Sequence, residues 1–155
     1  MSLRTLFVCA SFCLLTSKSL YAQLPRAEWV DSVYMQLTED ERIGQLFLVP
    51  LSSSWEASKL NNVEREIRTQ GLGGLIFTGG NPLTLSSLTN NFQLASRLPM
   101  FIGMDGSSGL GAVLDSAIAF PNNLSLASVE SDSLLFEFGK EAGRQMKLIG
   151  VNLNL

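Results

Sequence analysis

The 155-residue sequence contains no histidine, and its two cysteines, Cys9 and Cys13, both lie near the amino terminus. Without histidine, no serine of this chain can be activated by a Ser-His pair, and no imidazole is present to ligate a metal. Past Cys13 there is no thiol for a disulfide, a zinc thiolate or a cysteine nucleophile. Charge is also sparse, at 16% of residues, with 11 Lys and Arg against 14 Asp and Glu and no basic stripe. Nucleic acid and an anionic membrane surface are therefore not expected as partners. No apolar run reaches the roughly 20 residues that cross a bilayer as a helix. What remains is 46% hydrophobic, enough for one globular domain and too apolar for a disordered chain.

The start, MSLRTLFVCASFCLLTSKSLYAQ, places Arg4 before an apolar stretch over residues 6–15 and small and polar residues up to Ala22. This order reads as a secretory signal peptide over residues 1–22, which predicts a secreted or periplasmic mature chain of residues 23–155. Neither cysteine follows the small residue that a lipoprotein site requires. Loss of Arg4 and Lys18 takes the formal charge from −3 to −5.

Helical and strand patterns then alternate. In AEWVDSVYMQL, Trp29, Val33 and Leu37 recur at helical spacing and predict an entry helix with a packed face, and Thr38 with Glu41 forms a capping box. Residues 45–50, QLFLVP, are continuously apolar, as in a strand buried on both faces. Leu60, Val63 and Ile67 share one face of a helix that stops at Gly71. A second strand is predicted over residues 73–80. After it, Asn81 and Pro82 open a helix carrying Leu85, Leu88, Phe92 and Ala95. PMFIGMD is a third strand, and Leu135, Phe138, Ala142 and Met146 mark a helix ending at Gly150. VNLNL is a fourth strand. Unbroken apolar strands alternating with helices define an α/β fold with a parallel sheet. A barrel and an open doubly wound sheet fit this pattern equally.

In either architecture ligands meet the carboxyl ends of the strands, and Asp105 sits at the end of the third strand, before a long Gly- and Ser-containing loop. It has two readings, a site residue or a cap of its own turn. Gly106, Gly109 and Gly111 have the wrong spacing for a dinucleotide fingerprint, and DGSSGLG misses the nucleophile-elbow pattern by one residue. No constellation of metal ligands stands out. Glu39, Asp40, Glu41, Glu64 and Glu66 fall on capping turns or solvent faces, and Glu130, Asp132, Glu137 and Glu141 lie at or near a helix start. Asp115 is in the loop, with no position that sequence alone assigns.

The runs WVDSVYMQLTEDERIGQLF, GLGGLIFTGGNP, TNNFQLASRLPMFIGMDG, AFPNNLSLAS and GKEAGRQMKLIGVNLNL together resemble the amino-terminal domain of glycoside hydrolase family 3, which includes bacterial β-N-acetylhexosaminidases and β-glucosidases. The resemblance covers nearly all of residues 23–155, in order. It implies the first half of a (β/α)8 barrel, about four βα units, and a parent activity that hydrolyses terminal β-linked sugars with retention, without a cofactor. By the same resemblance Asp105 binds substrate hydroxyls, a carbohydrate being the implied partner. The family usually has Glu where this chain has Ser107 and Arg where it has Val113; loss of both members of an ion pair costs less than loss of one. The family's nucleophilic Asp, its Lys-His element and the hexosaminidase His-Asp loop follow the fourth strand. The resemblance thus places no catalytic residue within residues 1–155 and implies that this chain alone does not hydrolyse. A non-catalytic sugar-binding remnant, and a half-barrel completed by a partner chain, are the alternatives, and open sheet edges imply self-association.

Overall fold

A computed structural model describes residues 25–155, so the leader expected at residues 1–22 lies outside the described residues. Helix α1 (Arg26–Gln36) buries none of its residues, against the expectation of a packed face. Val30, Tyr34 and Met35 add apolar side chains off the line of Trp29 and Val33, so apolar surface runs round the helix instead of forming one stripe.

Residues 37–155 form one unit. It begins with helix α2 (Glu39–Gly44), where the expected capping box is present: the Glu41 N–H donates to Thr38 Oγ1 at 3.2 Å and the Thr38 N–H to Glu41 Oε2 at 2.8 Å. Strand β1 (Leu48–Leu51) leads to helix α3 (Ala57–Gln70), whose Val63 and Ile67 are buried and which ends at Gly71 in the left-handed conformation, φ 63°. Strand β2 (Gly74–Phe77) is followed by helix α4 (Pro82–Ala95), capped by Asn81 Oδ1, which accepts the Leu83 N–H at 2.9 Å. Its buried stripe is Leu85, Thr89, Phe92 and Ala95; the expected Leu88 is only half-buried. Strand β3 (Phe101–Met104) precedes a loop holding a 3-10 turn (Leu110–Ala112) and helix α5 (Asn123–Leu126). Helix α6 (Asp132–Leu148) and strand β4 (Leu153–Asn154) complete the order.

All three strand pairings are parallel and the sheet order is β1-β2-β3-β4. This order fits a barrel. A doubly wound sheet reverses its direction of growth at a switch point, whereas sequential right-handed crossovers keep every helix on one face, as in a barrel wall. The helix-covered face presents Leu51, Leu75, Phe77, Ile102 and Met104, which form one core with Ile67, Leu85, Phe92 and Met146. The opposite face carries Leu48, Pro50, Ile76, Phe101 and Leu153; side chains alternate along a strand, and a Cβ at Gly103 would point at Ile76 and Leu153, 3.5 and 3.6 Å away.

The first strand was expected to be buried on both faces. Instead Leu48 and Pro50 are exposed, as is Phe101 at 59%. No described element covers their side of the sheet, although its apolar composition is that of a barrel interior.

Candidate functional site

The carboxyl ends of β1, β2 and β3 align, because Leu51, Phe77 and Met104 are paired in register. The turns that leave them are knitted together. The Thr78 N–H donates to the Leu51 carbonyl at 2.9 Å and the Ser53 N–H to the Gly79 carbonyl at 3.1 Å. Ser53 Oγ donates to the Asn81 carbonyl at 3.2 Å, which joins the turn after β1 to the start of α4.

Asp105 is the first residue past β3 and is exposed. Its Oδ1 accepts the Ser107 N–H at 3.1 Å, so both readings of the sequence hold at once: the residue caps its own turn and presents a carboxylate at a strand end. The Ser107 side chain, and after it the Ser107 N–H, lower the Asp105 pKa below the ordinary 3.8, because both donate to the ionised form. Ser107, where the family usually has an acid, therefore acts as a donor to Asp105. Val113, where the family usually has Arg, packs against the hydrophobic core. Neither position contributes charge to the strand ends.

Two contributors were not legible in the sequence. Asn154, on β4, accepts the Gly106 N–H at 2.9 Å and so fixes the backbone next to Asp105. The alternation of Asn152 and Asn154 within an otherwise apolar strand was the available signal. The second is Asp115. The loop after β3 folds back on itself: the Phe120 N–H donates to the Ser108 carbonyl at 2.8 Å and the Gly111 N–H to the Ile118 carbonyl at 3.2 Å. Leu110 and Leu114 enter the core, and the Asp115 N–H then donates to the Gly80 carbonyl at 3.0 Å, which ties Asp115 to the turn between β2 and α4.

Four other acids serve the fold. Glu41 closes the capping box and pairs with Arg97 at 2.8 Å, while Glu64, Glu137 and Glu141 pair along their own helices with Arg68, Lys140 and Arg144. Behind Ser107 a cavity of about 360 Å³ opens between the loop and α6, lined by Gly106, Ser107, Asn123, Phe138, Met146 and Asn154 among others.

Residues 38–155 match the family model described as the glycosyl hydrolase family 3 N terminal domain. The chain belongs to this family. No curated protein sequence matches it. Among solved structures, a beta-glucoside phosphorylase, BglX, bound to 2FGlc is similar at TM-score 0.71 and 19% identity, covering 81% of this chain and 22% of that one. A second structure of beta-glucoside phosphorylase BglX gives TM-score 0.68 and 18% identity, over 82% of this chain and 21% of that one. The chain thus spans about a fifth of the length of these structures. At such identity the likeness is one of fold, and it agrees with the sequential parallel order of the family 3 domain described above.

Proposed function

We propose that this family 3 chain supplies the sugar-orienting part of an exported enzyme that cleaves terminal β-linked sugars with retention, and that Asp105 accepts hydrogen bonds from substrate hydroxyls. The observation that carries the reading is an exposed carboxylate at the carboxyl end of β3, where ligands meet parallel α/β sheets, in a domain matched over residues 38–155. A carboxylate suits this work because it accepts two hydroxyl hydrogen bonds, each strengthened by its charge. The Ser107 donors keep Asp105 ionised below the ordinary 3.8, so the site stays ready into the acid range. Retention requires two further carboxyl groups about 5 Å apart, one nucleophile and one acid/base. The resemblance assigns neither to residues 1–155, and Asp105 is a binding residue in this proposal. Since the two similar structures are described as beta-glucoside phosphorylases, β-glucosides are favoured over N-acetyl-β-hexosaminides.

The test uses the protein expressed from its native gene, with p-nitrophenyl β-glucoside and p-nitrophenyl N-acetyl-β-glucosaminide, each with and without phosphate. Release from the glucoside, with KM raised at least tenfold by Asp105→Asn, is expected. Turnover or binding indifferent to Asp105→Asn refutes the role of Asp105. The phosphate dependence separates hydrolysis from phosphorolysis.

A further inference from the structure

We propose that Met146 on α6 and Asn154 on β4 are positioning residues, which grip Gly106 between them and so set the direction of the Asp105 carboxylate. The functional meaning of this grip rests on the reading of Asp105 given above. Gly106 lies between Asp105 and Ser107, whose N–H closes the Asp105 turn, so the backbone of Gly106 decides whether donor and carboxylate meet. It is buried, whereas Asp105 beside it is exposed.

Glycine at position 106 is a matter of space. Gly71, Gly80, Gly109 and Gly150 adopt positive φ and Gly106 does not, so its backbone conformation does not itself call for glycine. A Cβ added there would overlap Met146 Cε and lie 3.0 Å from Asn154 Oδ1 and 3.1 Å from Met146 Sδ. Met146 is 5% exposed and belongs to the main core, so its thioether is held where it meets the turn. Asn154 Oδ1 accepts the Gly106 N–H at 2.9 Å, so the same residue is packed from α6 and hydrogen-bonded from β4. Phe138, earlier on the same stripe of α6, meets Phe120 edge-on with ring centroids 5.2 Å apart and holds the far end of the loop after β3. Among the described residues the four ion pairs leave Asp105 out, and Ser107 alone lowers its pKa. The direction of that carboxylate is therefore set through its own turn, and the turn is set at Gly106.

Carbon-13 NMR titration of the Asp105 carboxyl, in the protein from its native gene, tests the grip without relying on a sugar. Titration calorimetry with methyl β-D-glucoside tests its consequence. The wild type is expected to titrate below the ordinary 3.8. Gly106→Ala is expected to bring the titration up toward 3.8 and to weaken glucoside binding about fivefold or more, the effect of one misplaced hydrogen bond. Adding Met146→Ala gives the new methyl group its room and is expected to restore both, a rescue that a general loss of core packing does not produce. Asn154→Leu, which removes the acceptor for the Gly106 N–H, is read in the same two ways and carries the test if Gly106→Ala does not fold. An Asp105 titration unmoved in whichever of these variants folds, or a double variant no closer to wild type than Gly106→Ala, overturns the proposal. A titration that moves and is rescued as expected, while glucoside binding is absent or unchanged, upholds the grip and overturns the sugar role of Asp105.

Discussion

Replacing Gly80 by alanine tests whether the turn after β2 holds the site together. Gly80 adopts φ 111°, outside the left-handed well that even asparagine tolerates, and a side chain there costs about 1–3 kcal/mol. The added Cβ would also overlap Ser53 Oγ and lie 3.0 Å from Ser53 Cβ and N. Ser53 is 6% exposed and cannot simply swing into water. Displacing it breaks its hydrogen bonds to the Gly79 and Asn81 carbonyls, at roughly 1 kcal/mol each. Together these terms predict a loss of about 3–5 kcal/mol, large for a single methyl group. Gly79→Ala is the matched control, since its Cβ would meet only Ser52 Oγ at 3.6 Å and the Val113 carbonyl at 3.9 Å, and it should cost under about 1 kcal/mol. Urea denaturation followed by tryptophan fluorescence measures both as shifts in midpoint at constant slope. Because Gly80 also holds the Asp115 N–H, its variant should loosen the loop after β3 as well. Equal midpoints for the two variants would refute the geometry of this turn.

Other expectations follow from single residues. Thr89 is 3% exposed and its Oγ1 has no hydrogen-bond partner, so Thr89→Val, which keeps the shape and removes the stranded hydroxyl, should stabilise the protein by about 1–2 kcal/mol in the same urea assay. Glu141 is lowered from 4.5 to about 2, first by hydrogen bonds from Arg144 and then by Gln145. A depressed carboxylate contributes stability that is complete above 4.5 and is lost as pH falls toward 2, so Glu141→Gln should flatten the melting-temperature profile across that window and change little at neutral pH, where an exposed pair is worth little. Ser107→Ala removes the hydroxyl that does most to hold Asp105 ionised, and the acid limb of sugar binding should move up toward 3.8.

The parts of this fold legible in the sequence are those that short stretches decide. Thr38 with Glu41, Asn81 with Pro82, and Gly71 each solve a helix-end problem within a few residues, and the structure uses all three as read. Apolar runs located the strands, but not which of their faces the described helices cover. Strand order was out of reach, because it depends on pairings such as Leu48 with Gly74, which no local pattern encodes. Asp105 could be assigned to a strand end because β3 runs straight into it. Asp115 could not, because its place follows from a hydrogen bond to Gly80 across the whole of α4 and β3.

Strand β4 shows the same division in one segment. Its apolar positions predicted a strand through VNLNL, yet only Leu153 and Asn154 pair as one. At Asn152 side-chain chemistry supplements the ladder: the backbone N–H donates to the Ile102 carbonyl at 3.0 Å, while Oδ1 accepts the Ile102 N–H at 2.8 Å and Nδ2 donates to the Met100 carbonyl at 3.3 Å. Two residues on, Asn154 repeats the device on Gly106. Buried strand groups must find partners, and asparagine amides, carrying both donor and acceptor, supply them where the regular pairing is short. The last of these bonds lands one residue from Asp105. An Asn154→Leu change, which suits strand propensity, would leave the Gly106 N–H without that partner and release the turn that aims the carboxylate.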